Sequence, residues 1–511
     1  MINIYQPSIE KYNKSAIEAI NSGWISNHGK YIEMATQKLC EVVGSKCAIL
    51  MANGTCATHC LFLSIKYKYP EITKIYVPNN SYVAAWNSAL MVYNINQMEV
   101  MKINLDTWNT ETDESYFKTL DSNSVVLIVH NLGNIINVPR LKQIRPDLIF
   151  VEDNCEGLFG KYNNIYSGTS DDILCASVSF YGNKVITTGE GGAFLTNDCD
   201  VYEHIKKVYS QGMSPVRYLH EVHAYNYRMT NVQAAFLYDQ LNDIEQILSN
   251  KKRVFNYYEK ILESLIKDGK IALFKKEKNT ESADWIFAIR IVGNTKSIEE
   301  TSEFFKNHNI DTRPFFYPIN SHAHLASFIN EDENSYKLNR EIIMIPSSPT
   351  ITTDEQHMVV DAICKFVLSN QNIKVVKIND QNISDLDSFI PTIKSDHFRY
   401  FNTRTIENVK SHLITYLFFD TVKNEYFGYT HVDHFEKYWF GIYLHHDYCG
   451  KKNGNILLNY TLLNCCAKNI NEISLSVDKS NEPAIKLYKK NNFTIENENE
   501  KVYFMKKILN Q

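Results

Sequence analysis

Long hydrophobic runs are missing from this sequence. No stretch of about eighteen apolar residues occurs, so no membrane-spanning helix is expected. The opening MINIYQPSIEKYN lacks the charged-then-apolar pattern of a secretory signal, and a cytoplasmic location is the expectation. Lysines and arginines form no long run and the formal net charge is −5, which argues against a nucleic-acid partner. The 11 cysteines fall into no disulfide-framework or zinc-ligand spacing and read as free thiols. The 16 histidines include no HxxxH or HExxH pair, so no metal site is expected. Internal repeats and low-complexity tracts are lacking too.

What is present is length. At 511 residues the chain exceeds a single core and suits two or three domains. The helical pattern DEQHMVVDAICKFVL ends near residue 368, polar SNQN follows, and the apolar run IKVVKI starts a new strand. The expected boundary lies near residue 371, giving domains 1–370 and 371–511. In the first, CAIL, KIYVP, VVLIVH and LIFVED read as strands alternating with helical runs, the pattern of an α/β, doubly wound, mostly parallel sheet. Residues 230–265 read as one long helical stretch, and DWIFAIRIVG with the DTRPFF region as a small C-terminal subdomain.

The chemistry concentrates in two runs. Residues 175–198, CASVSFYGNKVITTGEGGAFLTND, place Lys184 between an aromatic lead-in and a glycine turn. A lysine amine can form a Schiff base with an aldehyde cofactor. Ser179 could donate its hydroxyl to a phosphate, and Gly189, Gly191 and Gly192 let the backbone turn sharply. Taken alone, the run equally describes a surface lysine before a glycine turn. The second run, VEDNCEG, follows the buried-strand pattern Leu148–Val151 and puts acids at its C-terminal end, where α/β sheets bind ligands. Asp153 suits the carboxylate that keeps a pyridinium nitrogen protonated, and Glu156 could reach the ring hydroxyl or the reacting amine. A helix N-cap is the bland reading of Asp153.

Together these segments resemble the DegT/DnrJ/EryC1/StrS sugar aminotransferases, pyridoxal phosphate (PLP) enzymes of fold type I, over about the first 365 residues. Asn53-Gly54-Thr55 in MANGTCATHCLFL is similar to the family's phosphate loop opening a helix. VPNNSYVAAWNSAL places Tyr82 where that family stacks an aromatic ring on the cofactor, and VHNLGNIINV resembles the loop before the Asp strand. AYNYRMTNVQAA is close to the family's GYNYRM segment, whose asparagine, here Asn226, reaches the cofactor phosphate of a neighbouring subunit. The resemblance thus implies a homodimer with sites at the subunit interface. DTRPFFYPI, with Arg313 and Tyr317, resembles the substrate-side segment of 4-aminosugar synthases, and MIPSSPTITTDE the closing helix entry. Lysine at 184, where dehydratases of the family carry histidine, implies transamination. Glu156, RPFFYP and YNYRM point to perosamine-synthase-like members and a 4-keto-6-deoxy nucleotide sugar. Asn53, Ser81 and Asn154-Cys155 depart from the family's commoner residues without removing a group the chemistry needs.

The last 140 or so residues carry a second pattern. NEYFGYTHVDHF and YWFGIYL read as consecutive strands, HHDYCGKKNGNILLNYTLLNCCAK as a loop opening a helix, and ISLSVDKSNEPAIKLYKKNNFTI as strand, helix, strand. This resembles a GNAT acetyltransferase, an α+β fold. CGKKNG lies over that superfamily's pyrophosphate loop, implying that Cys449, Gly450, Lys451, Asn453, Gly454 and Asn455, with Asn481, line an acetyl-CoA site. Cys449 and Lys452 stand where Gln or Arg and a glycine are usual. Tyr488, in NEPAIKLYKKNNF, stands where a tyrosine commonly protonates the departing thiolate; packing on a helix face is its bland alternative. Asn492 replaces a glycine and tolerates left-handed backbone better than most residues. For the acceptor amine, His431, Asp433, His434 and Glu436 are candidates of equal standing.

The joint expectation is a bifunctional enzyme. The first domain, using glutamate, would aminate a nucleotide-linked 4-keto-6-deoxyhexose, and the second would acetylate the new amine. Three alternatives stay open: a 3-keto substrate giving a 3-amino product, a second domain that only senses acetyl-CoA or aids assembly, and an acetyl acceptor other than the first domain's product.

Overall fold

Seven short apolar runs become the strands of the first sheet: β1 (Cys47–Met51), β2 (Ile75–Pro78), β3 (Met98–Met101), β4 (Val125–Val129), β5 (Ile149–Asp153), β6 (Ala176–Ser179) and β7 (Gly192–Thr196). Their order is β1-β7-β6-β5-β4-β2-β3. The pairs from β3 through β6 run parallel, and β7 runs antiparallel to both neighbours. Alternate residues feed two separate cores. Val125, Leu127 and Val129 pack into one, Val126 and Ile128 into the other. A sheet covered on both faces is why these strands read as continuous apolar runs rather than as alternating ones.

The computed structural model describes residues 1–216, 218–393, 406–468 and 470–509. The chain divides into two units, Met1–Lys260 with Asp268–Ile351, and Ile261–Lys267 with Thr352–Gln511. In the first unit, α1 (Gly54–Lys68) starts at Asn53, whose side chain caps it, and α2 (Asn231–Asn242) starts with a capping box between Thr230 and Gln233. The stretch 230–265 is not one helix: it breaks after Asn242 and again after Ile261, giving Ile244–Ile261 and Glu263–Lys267. The small subdomain is a four-stranded sheet containing Ala288–Ile291 and Arg313–Pro314.

Besides Ile261–Lys267, the second unit begins with α3 (Thr353–Ser369), capped by Thr352 and Glu355. The residue read as the domain boundary, Gln371, lies in the turn after it, before β8 (Ile373–Lys377). There follow β9 (Ile414–Asp420), β10 (Glu425–His434), β11 (Tyr438–Leu444), α4 (Asn453–Cys466), β12 (Glu472–Asp478), α5 (Glu482–Lys490), β13 (Thr494–Glu498) and β14 (Val502–Ile508). The sheet order is β8-β9-β10-β11-β12-β14-β13. Strands β11 and β12 run parallel, paired at Trp439 and Ser474. The architecture is the one read from sequence: a fold type I α/β unit followed by an α+β unit. Among the described residues, no helix is long and apolar enough to cross a membrane.

Candidate active sites

Three pieces of chain meet at the C-terminal ends of β5 and β6. Asp153 closes β5 and Ser179 closes β6, and both are buried. The N-terminus of α1 presses against them. A Cβ added at Gly54 would stand 2.8 Å from Ser179 Cβ and 3.2 Å from Cys155 Sγ, and one at Gly192 would stand 2.5 Å from the Asn53 carbonyl carbon. Only glycine allows either approach. The Asn53 side chain accepts from Cys56 N at 2.9 Å, and Thr55 sits exposed on the first turn. The Cys155 backbone N–H donates to Asp153 Oδ1 at 3.1 Å, and the Ser177 hydroxyl lies 3.5 Å from the same oxygen. A helix N-terminus, a serine hydroxyl and a hydrogen-bonded carboxylate thus share one cradle. This donor set fits a phosphate-bearing pyridine: α1 and Ser179 could hold the phosphate, Asp153 the ring nitrogen.

Lys184 follows β6 on a tightly held loop. Its N–H donates to Tyr181 O, Thr188 N donates to Phe180 O, and Gly189 takes a φ of +82°. The Lys184 amine lies 3.9 Å from the centre of the Trp285 ring, and its carbonyl accepts from the Tyr5 hydroxyl at 2.8 Å. The Trp285 indole N–H donates to Asn183 O at 2.9 Å. Sequence reasoning missed both aromatic residues. Each is a single side chain outside any motif, brought to Lys184 only by the fold.

Glu156 completes the group. It is buried and accepts from Leu132 N at 2.8 Å. Burial pushes its carboxyl up to about 7, even though the nearby Lys184 charge and the Leu132 N–H pull it down. Leu132 presents that N–H from a left-handed backbone, with φ +55°. Next to it, a Cβ on Gly133 would stand 3.2 Å from Glu156 O and 3.4 Å from Trp285 N. One loop therefore packs between the acid and the tryptophan under the lysine. Asn154, the departure after Asp153, is fully buried; its carboxamide donates to Ser167 O and accepts from the Ser167 hydroxyl, both at 2.9 Å.

Tyr82 and Tyr317 are both largely exposed, and their segments are laced together. Ile319 N donates to Asn79 O, and the Asn80 carboxamide donates to Phe316 O, each at 2.8 Å. Arg313 is exposed and paired with Asp311. Asn226 lies in a segment bridged to Ser210. Among the described residues, the hydrogen bonds, ion pairs and bridges of these four are with residues other than Lys184, Asp153 and Glu156.

In the second unit the loop before α4 holds Cys449 and Lys451 exposed, with Gly450 at φ +75° and Lys452 at φ +65°. The usual glycine at 452 has a physical reason: a Cβ in that conformation costs about 1 kcal/mol. Lys452→Gly is therefore expected to raise the unfolding free energy of this unit by about that amount, measured by denaturant titration. Asn492 adopts φ +64°, also left-handed. The Asn453 side chain donates to Tyr448 O at 3.1 Å, and Asn455 accepts from Asn491 at 2.8 Å. Gly454 packs beside Leu487, and the Asn481 side chain caps α5. Tyr488 is buried beside Phe493, and burial raises its hydroxyl well above the ordinary range.

The four acceptor-side candidates separate. His434 and Glu436 sit exposed at the turn between β10 and β11. His431 is buried, and its ring lies where a side chain on Gly441 would be: an added Cβ would meet His431 Cε1 at 1.9 Å. His431 stacks on His412 at 4.5 Å, and Asp433 Oδ2 lies 3.8 Å from His431 Nε2 and 3.9 Å from His412 Nε2. Donor atoms of these three residues all lie within 4.8 Å of one another, a metal-capable grouping that no sequence spacing announced.

Comparison with known proteins follows the same division. The model of the DegT/DnrJ/EryC1/StrS aminotransferase family matches residues 7–364, and that of the acetyltransferase (GNAT) family matches residues 385–493. GDP-perosamine synthase of Escherichia coli O157:H7 is 30% identical over 373 residues, covering 71% of this chain and 98% of that protein. A Campylobacter jejuni UDP-4-amino-4,6-dideoxy-N-acetyl-beta-L-altrosamine transaminase is 26% identical over 279 residues, 51% of this chain and 68% of its own. Among solved structures, Helicobacter pylori PseC, an aminotransferase involved in pseudoaminic acid biosynthesis, superposes with a TM-score of 0.63 at 20% identity, over 72% of this chain and 97% of that one. The E. coli GDP-4-keto-6-deoxy-D-mannose-3-dehydratase with bound hydrated PLP also gives 0.63 at 20% identity, over 71% and 99%. The chain belongs to the DegT/DnrJ/EryC1/StrS aminotransferase family and carries a GNAT domain behind it.

Proposed function

We propose that residues 1–370 transfer an amino group from glutamate to a nucleotide-linked 4-keto-6-deoxyhexose, and that residues 371–511 acetylate the resulting 4-amine from acetyl-CoA. The observation that carries the first half is the convergence of Asp153, Glu156, Ser179 and Lys184 around the glycine-lined N-terminus of α1. PLP, when bound, supplies an electron sink beside the substrate carbon. Asp153 holds the proton on the ring nitrogen. Lys184 Nζ takes a proton from the donor's carbon and returns one to the sugar's carbon. Glu156, which burial lets keep its proton up to about pH 7, donates a hydrogen bond toward the reacting groups. The likeness to perosamine synthases supports the 4-keto position.

In the second half the amine nitrogen attacks the thioester carbonyl, the C–S bond breaks, and the amine's proton leaves to a base. We assign the acceptor to the face of β10 and β11 where His431 lies over Gly441. Tyr488 is the group we assign to protonate the departing thiolate. A homodimer suits the first unit, because Trp24, Ile25, Tyr82 and Tyr218 leave large apolar surfaces exposed.

Mass spectrometry of sugar nucleotides tests both halves. GDP-, UDP- and dTDP-linked 4-keto-6-deoxyhexoses are incubated with the protein, PLP, glutamate and acetyl-CoA. An N-acetylated amino sugar is the expected product, and NMR locates the amine. A product that gains the amine but never the acetyl group overturns the second half alone.

A further inference from the structure

Lys251 lies in the helix Ile244–Ile261 and is fully buried. Its amine donates to Trp285 O at 2.7 Å and to Ser347 O at 2.8 Å. It also lies 5.6 Å from the centre of the Tyr5 ring and 5.2 Å from that of Phe255. Burying an ammonium is costly, and here burial pushes the amine down to about 7. A methionine would fill much the same volume without that cost. What methionine lacks is donors, and the two carbonyls are what the lysine serves.

Two of these neighbours, Tyr5 and Trp285, lead to Lys184. Tyr5 donates its hydroxyl to the Lys184 carbonyl, and Trp285 sets its ring against the Lys184 amine. The backbone of the reactive residue and its reacting atom are thus held by two residues that meet at one buried amine, Trp285 through its backbone carbonyl and Tyr5 through its ring. We propose that Lys251 is a positioning residue for Lys184, acting through Trp285 and Tyr5. The role of Lys184 is taken from the function proposed above; the bracket itself does not depend on it.

The test uses the full-length protein without cofactor. Lysines are methylated with formaldehyde and cyanoborohydride near neutral pH, and the Lys184 peptide is followed by mass spectrometry against exposed Lys486. A cation against an aromatic face gains about 0.5–1 kcal/mol, so releasing it should change reactivity about threefold. Lys251→Met is expected to raise the relative rate at Lys184 by about that factor with unchanged circular dichroism. Trp285→Phe, which leaves Lys251 and the backbone carbonyl in place, should act in the same direction. Because both act along one path, the double variant should add little to either single change. A folded Lys251→Met protein with the native Lys184 rate overturns the proposal, as do effects of the two substitutions that simply multiply. Should Lys251→Met not fold, Lys251→Gln is measured in its place, with the same two outcomes deciding. Trapping of PLP on native Lys184 by borohydride is scored separately. If it fails, the cofactor reading falls while the labelling result still decides on Lys251.

Discussion

Lys184→Ala is expected to leave a folded protein that no longer moves the amino group. The loss should be about 10⁴-fold, the upper range for removing a positioned acid–base group. Lys184 is half-buried, and its carbonyl bond to Tyr5 comes from the backbone, so truncating the side chain leaves that bond in place. Stability should change little, the main loss being the contact with Trp285. The variant also separates the two halves. Given a ready-made 4-amino sugar nucleotide and acetyl-CoA, it should release CoA at the native rate, because no residue proposed for that step lies in the first unit. Turnover within tenfold of native would remove Lys184 from the centre of the mechanism.

Glu156→Gln should stabilise the protein at alkaline pH and not at acid pH. The folded carboxyl titrates near 7, against an ordinary value of 4.5. Between those values the folded state holds a proton that the unfolded state has released. Stability conferred by this group is therefore complete below about 4.5 and is lost as pH rises through about 7. The loss amounts to about 3 kcal/mol once both states are ionised. Glutamine keeps the shape and the acceptor for Leu132 N–H but has no charge to bury. The variant should thus match the native protein near pH 4.5 and exceed it by about 3 kcal/mol near pH 8. Denaturant unfolding of both proteins at the two pH values measures this difference directly, since other titrating groups cancel. A constant offset between them would show that the Glu156 carboxyl titrates alike in the folded and unfolded chains.

Where the two pH curves separate depends on a contact that no motif contains. VEDNCEG placed Glu156 near the end of a strand, but the raised carboxyl comes from its burial. Its Leu132 partner comes from a loop that reaches it through a left-handed backbone. The same division holds elsewhere. LIFVED and VVLIVH announced β5 and β4 because strands buried on both faces must be apolar throughout. The long helical reading of 230–265 missed the breaks after Asn242 and Ile261, since periodicity alone continues across a one-residue interruption. Lys452 was legible as a departure from a glycine, yet its left-handed backbone was not.

The sequence by itself determined the two fold classes, the strands of the central sheet, and the run around Lys184, because each is written in local periodicity or in residues close along the chain. Only the tertiary structure decided what surrounds the reactive groups. It brought Trp285, Tyr5 and Lys251 to Lys184, seated Ser179 against Gly54, and set His431 over Gly441 beside His412 and Asp433. These are pairings between distant segments, fixed by packing geometry and burial, and no spacing along the chain encodes them.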